Sequence, residues 1–140
     1  MPWVFPASYL RCLFHMDKKL DIPSNILRAS QEDEYFGRMN DASGAAYVKG
    51  LCGDEMEFYL IIENNIVTEI KYYTDGCMFT KACGRTAARF ALKKSIPEVL
   101  RISPQQIVEA LKRLPQNYIH CSILAVSTLH KAIADYLLKP

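Results

Sequence analysis

Cys52, Cys77 and Cys121 stand far apart in this chain, and each has company suited to metal chemistry. Asp54 follows Cys52 in Leu51-Cys52-Gly53-Asp54, Gly76 precedes Cys77 in Asp75-Gly76-Cys77, and His120 directly precedes Cys121. Brought together, these residues supply three soft thiolates, one carboxylate oxygen and one imidazole nitrogen, a donor set that suits iron or zinc. Gly53 and Gly76 carry no side chain and leave room beside the thiols for a bulky ligand. The two remaining cysteines, Cys12 and Cys83, read as small buried hydrophobes; Cys83 falls on an apolar helical stripe near enough to Cys77 to act as a spare thiol. His15 and His130 have no such neighbours and read as surface residues, and Asp75 reads as a turn carboxylate outside the site.

These ligands meet only if the elements between them bring their ends together. Glu55 to Glu63 alternates, with Met56, Phe58, Leu60 and Ile62 on one face, and Ile66 to Thr74 alternates with Ile66, Thr68, Ile70 and Tyr72 on one side. Asn64-Asn65 between them is a two-residue hairpin turn, because Asn tolerates positive φ. Ala45 to Lys49 predicts a short first strand. After Cys77 the period changes to about 3.6. Phe79, Cys83, Ala87 and Phe90 line one stripe of a helix that runs to about Lys94. Ser103-Pro104-Gln105-Gln106 opens the next helix with a capping box, its apolar face is Ile107, Val108, Leu111 and Leu114, and Pro115 stops it. A last helix runs from near His120 to about Leu138, burying Leu124, Ala125, Thr128, Ala132 and Tyr136. Upstream, Ser24 caps a short helix toward Phe36, and Gly37 to Gly44 (GRMNDASG) is a turn-rich connector. Strands first and helices afterwards argue for an α+β domain, a small antiparallel sheet with helices packed on one face. Each candidate cysteine then falls at a junction: Cys52 between strands, Cys77 between strand and helix, Cys121 at a helix start. Helix N-termini at Cys77 and Cys121 are expected to favour thiolate.

Composition narrows the class. The 140 residues are 50% hydrophobic and 23% charged with a net charge of +2, which fits one folded domain and argues against nucleic acid or a membrane surface as partner. No run approaches the length of apolar sequence that spans a bilayer. Five cysteines, an odd number at wide spacing, fit reduced thiols better than a disulfide framework, so a cytoplasmic protein is expected. Pro2 to Phe14 is apolar but lacks a basic leader region and is interrupted by Pro2 and Pro6, and Met16 offers a second start.

From about Phe36 to the C-terminus the chain resembles the iron–sulfur cluster scaffold family, of the NifU N-terminal or IscU type. The pieces that carry the likeness are GRMNDASG, CGDEMEFYLII, TDGC, the Leu114-Pro115 to IHCSILA segment and AIADY, in the same order and spacing. The resemblance divides the chain into an N-terminal extension, 1–35, and a scaffold domain, 36–140. It implies a three-stranded sheet with helices on one side, and transient assembly of a [2Fe–2S] cluster from Fe²⁺ and sulfur delivered by a cysteine desulfurase. It further implies an electron donor such as ferredoxin and apo iron–sulfur proteins as recipients. Carried over, Cys52, Cys77 and Cys121 match the three thiol positions, Asp54 the carboxylate of iron binding and release, and His120 the histidine beside the third cysteine. Cys121 would accept the persulfide, exposed at its helix start to a partner's sulfur-bearing loop. Met78 stands where the family has a small residue, and Cys83 where small polar residues are common. Leu114-Pro115-Gln116-Asn117-Tyr118 lacks the second proline and the lysine read by the pathway's specialised chaperone, which argues against its recruitment. The rival reading is a structural or regulatory zinc domain, in which Zn²⁺ fills the same ligands and holds the fold. Wide ligand spacing disfavours a zinc ribbon.

Overall fold

The computed structural model describes residues 24–31, 34–112 and 114–139. Cys12, His15, the apolar Pro2 to Phe14 segment and Met16 lie outside them. Three strands, β1 (Gly44–Lys49), β2 (Glu55–Glu63) and β3 (Ile66–Tyr73), form an antiparallel sheet in the order β1-β2-β3. Among the described residues five α-helices accompany the sheet: α1 (Ser24–Gln31), α2 (Met78–Ala91), α3 (Ile96–Leu100), α4 (Pro104–Leu111) and α5 (Ile119–Leu138). The expected α+β architecture is what forms.

β2 alternates as its sequence predicts, with Met56, Phe58, Leu60 and Ile62 buried against the helices. Each such side chain contributes roughly 1.5–3 kcal/mol by leaving water. The turn also forms as expected, with Asn64 at φ 54° and Asn65 at φ 63°, the two positive angles that a tight hairpin requires. β3 departs from the expected phase. Ile61 pairs with Glu69 but Ile62 with Val67, so Thr68 is a bulge residue, its hydroxyl donating to the Ile61 carbonyl at 3.2 Å. The extra residue slips the alternation: Val67 is buried and Ile66 is 39% exposed, while Ile70 and Tyr72 stay inside.

Helix ends differ from expectation for backbone reasons. α2 stops at Ala91 rather than Lys94, because Leu92 turns extended at ψ 131° before Lys93 takes φ 68°, and α4 stops before Leu114 because Lys112 takes φ 43°. α1 ends at Gln31, short of Phe36. Instead, Phe36 bridges Tyr72 in parallel, with Gly37 donating to the Tyr72 carbonyl, and together they cover part of the outer edge of β3. The Ser103 box forms as read; a second one, Ser95 with Glu98, opens α3, a helix that periodicity passes over because it is only five residues long.

The core runs between the sheet and α2 and α5, and Ile26 of α1 is fully buried in it. α5 is long and apolar enough to cross a membrane, yet half of that stretch is buried inside the domain, including Leu124, Ala125, Leu129 and Ile133. Tyr136, expected inside, is only partly buried near its end. β1 lies close on α5: a Cβ at Gly44 would stand 2.4 Å from the Ala132 carbonyl oxygen and 2.9 Å from Tyr136 Cβ. Backbone is in the way, so Gly44→Ala is expected to cost about 1–3 kcal/mol, as overpacking generally does. A lowered thermal and urea midpoint with an unchanged slope checks it.

Candidate metal centre

Three chain segments reach the same end of the sheet. The first is the β1–β2 loop, Gly50 to Asp54, closed by Gly50 N–H donating to the Asp54 carbonyl at 2.7 Å and Gly53 N–H to the Gly50 carbonyl at 3.0 Å. Gly53 has φ 95°, a conformation other residues rarely adopt. In this loop Leu51 is fully exposed, Cys52 is partly exposed, and Asp54 turns inward, 6% exposed. The second is the Thr74 to Cys77 turn. Buried Thr74 donates its hydroxyl to the Glu55 carbonyl and accepts from Gly76 N–H, tying this turn to the first residue of β2. Cys77 is the N-cap of α2 and is half-buried, at the mouth. The third is the start of α5, entered through a single 3₁₀ turn, Gln116–Tyr118, whose buried Tyr118 stacks on Phe79 of α2 at 4.2 Å between ring centroids.

An oxygen of Asp54, Cys77 Sγ and Cys121 Sγ all lie within 4.8 Å of one another. Such spacing lets one ion touch all three after small side-chain rotations, since metal–sulfur and metal–oxygen bonds are about 2.0–2.3 Å long. Gly76 makes the approach feasible, because a Cβ there would fall 2.9 Å from Asp54 Oδ2. His120 is half-buried beside Tyr118, ring centroids 6.4 Å apart. Neither His120 nor Cys52 belongs to the compact trio. Cys52 is partly exposed on its loop, and His120 directly precedes the fully buried Cys121 on α5.

The residue at the middle of the trio is Thr80, which sequence reading passes over. It is fully buried, and its Oγ1 lies 2.6 Å from Asp54 Oδ2, 3.4 Å from Cys121 Sγ and 3.7 Å from Cys77 Sγ. A threonine three residues after a helix N-cap is the one signal that points to it, since side chains lean back toward the helix N-terminus.

Burial sets the electrostatics of the trio and corrects the expectation for Cys121. Burial raises the Asp54 carboxyl above the usual carboxylate range, partly offset by the Thr80 hydroxyl. Cys121 is fully buried rather than exposed at its helix start. Its thiol is pushed well up, chiefly by the adjacent Cys77 thiol and by desolvation, which outweigh the helix terminus. Burial pushes Cys83 up too, in line with its reading as a core residue. His130 is not a surface residue; it is half-buried, and its Nε2 lies 3.1 Å from the Val99 carbonyl oxygen.

The model of the NifU-like N terminal domain matches residues 23–140. The chain is 37% identical over 110 residues to the iron-sulfur cluster assembly scaffold protein IscU 1 of Archaeoglobus fulgidus, covering 78% of this chain and 72% of that one. It is 34% identical over 106 residues to the iron-sulfur cluster assembly scaffold protein IscU of Aquifex aeolicus, covering 74% and 68%. Among solved structures, a putative iron-sulfur cluster assembly scaffold protein for the SUF system from Fervidobacterium islandicum AW-1 matches with a TM-score of 0.68 at 19% identity. That match covers 83% of this chain and 98% of the other, and at such identity it speaks to the fold.

Proposed function

The chain belongs to the NifU-like N-terminal domain family, and from that premise we propose that it is a scaffold on which iron–sulfur clusters are built before transfer to other proteins. What supports the reading most is the convergence of Asp54, Cys77 and Cys121 at the sheet end. This is a mixed oxygen and sulfur set rather than four thiolates. A permanent site gains from four strong ligands, whereas a site that must surrender its cargo gains from a harder, more labile oxygen donor.

Fe²⁺ is cargo in this reading. Asp54, Cys77 and Cys121 bind it first, with His120 and Cys52 closing over it as the β1–β2 loop and the first turn of α5 move in. Sulfur comes from the persulfide of a cysteine desulfurase. Cys121 thiolate attacks the terminal sulfur, the sulfur–sulfur bond to the desulfurase cysteine breaks, that cysteine leaves as a thiolate, and Cys121 carries S–SH. Two electrons from an external donor such as ferredoxin then reduce that sulfur to sulfide, and a second iron and sulfide complete a [2Fe–2S] unit. Because Cys121 is buried, sulfur delivery requires the partly exposed Cys77 side of the site to open. Exposed Leu51, at the tip of the adjacent loop, offers a partner an apolar handhold. The reducing conditions of the cytoplasm would keep these thiols competent.

Incubation with a cysteine desulfurase and cysteine, followed by mass mapping of persulfides, tests the reading. Persulfide on the Cys121 peptide is expected, together with visible sulfide-to-iron absorbance after anaerobic reconstitution. A colourless protein that holds one Zn²⁺ firmly and takes no persulfide would favour the zinc-domain rival.

A further inference from the structure

We propose that Thr80 is a positioning residue that presents the Asp54 carboxylate to the metal together with Cys121. The inference rests on the scaffold reading for its purpose but on Thr80's own contacts for its content. Three buried helical threonines allow a comparison. Thr86 donates to the Ala82 carbonyl at 2.8 Å and Thr128 to the Leu124 carbonyl at 2.7 Å, each to the residue four positions back in its own helix. That is the default for a buried helical threonine. Thr80, equally buried, donates to Asp54 Oδ2 at 2.6 Å.

Its place makes this contact available. Thr80 is three residues after the N-cap Cys77, in the first turn of α2, and its side chain leans back over that cap. The Asp54 carboxylate arrives from the β1–β2 loop, and Gly76 leaves the space it fills. A hydroxyl has one proton and two lone pairs. The proton serves Asp54 Oδ2 at 2.6 Å and, at longer range, Cys121 Sγ at 3.4 Å, while the oxygen can accept from the Cys77 thiol at 3.7 Å. Once both sulfurs are thiolates on a metal, they donate nothing, and the Thr80 proton is shared between the Asp54 oxygen and Cys121 Sγ. One rotor therefore keeps carboxylate and sulfur at a fixed separation in both states. Partners of this kind, hydrogen-bonded to metal ligands, orient them and tune the site.

Anaerobic titration with Co²⁺ alone, read by thiolate-to-cobalt charge-transfer absorbance, tests this without sulfur chemistry. Thr80→Val keeps shape and loses the hydroxyl, and about 10–100-fold weaker Co²⁺ binding is expected. Thr80→Ser restores the hydroxyl and should return affinity close to that of the unaltered chain. In an Asp54→Ala background, Thr80→Val should add little, because its effect runs through the carboxylate. Unchanged affinity in Thr80→Val, no rescue by serine, or an undiminished loss in the Asp54→Ala background would each overturn the proposal. Should Thr80→Val not fold, Thr80→Ala takes its place in the same cycle with the same expectation. Failure of the scaffold reading looks different: Co²⁺ binding would depend on Thr80 while no persulfide formed on Cys121. Persulfide on Cys121 with Co²⁺ binding indifferent to Thr80 would overturn the positioning role alone.

Discussion

Gly76→Ala is expected to disable the metal centre while leaving the fold standing. The added Cβ would lie 2.9 Å from Asp54 Oδ2, 3.0 Å from Asp54 Cγ and 3.1 Å from Thr80 Cβ. Thr80 Cβ is fixed to a helix, and Asp54 hangs from a loop, so the carboxylate is the group that yields. Moving it outward breaks its bond to Thr80 and takes the oxygen away from Cys77 and Cys121 together. The loss therefore exceeds that from any single supporting contact, and a fall in Co²⁺ affinity on the order of 100-fold or more is expected, at or beyond the top of the range for such contacts. Stability should change far less, because Asp54 is a charged group whose removal from a buried position relieves as much as it costs. Titration of Co²⁺ beside a thermal melt separates the two quantities. Normal affinity would mean that Asp54 does not need the space at Gly76, and that the trio is not the metal site.

Much of this architecture is legible in the sequence because it depends on local rules. The β2 alternation, the paired asparagines and the Ser103 capping box each decide structure within a few residues, and each forms as read. The β3 phase does not, because a bulge at Thr68 depends on how two strands pair and leaves no mark in the alternation itself. The site divides along the same line. Thiol and carboxylate chemistry identifies Asp54, Cys77 and Cys121 as candidates, and the structure brings those three together. Sequence does not tell that Cys52 stays outside the compact trio, that Cys121 is fully buried, or that His130 is tied to Val99. Those are facts about which side of an element faces the core. Thr80 is the instructive omission. A threonine carries no ligand chemistry, and only the meeting of three distant segments reveals what its hydroxyl touches.

Asp54 itself should trade stability for release, and its replacement is expected to show both sides. Its carboxyl is raised above the ordinary value of 3.8, first by burial, with the Thr80 hydroxyl pulling the other way. The sign follows from linkage. Below 3.8, folded and unfolded states both hold the proton and Asp54 carries no penalty. As pH rises from there through the higher folded-state pKa, the unfolded chain loses its proton first, and stability falls. At neutral pH the fold thus carries an unfavourable charge. Asp54→Asn removes it and keeps an oxygen for Thr80, so the metal-free variant should melt higher than the unaltered protein at pH 7. The gap should close as pH is lowered toward 3. A gap that persists at acid pH would mean the gain comes from packing. The same basic, poorly solvated carboxylate is a ligand that a proton can readily take from a metal, which gives a built cluster a way to open. Asp54→Ala should therefore hold a reconstituted cluster longer and pass it more slowly to an apo-ferredoxin, measured as the decay of visible absorbance against acceptor loading. Faster release from that variant would show that Asp54 anchors the cargo, and the mixed donor set would need another explanation.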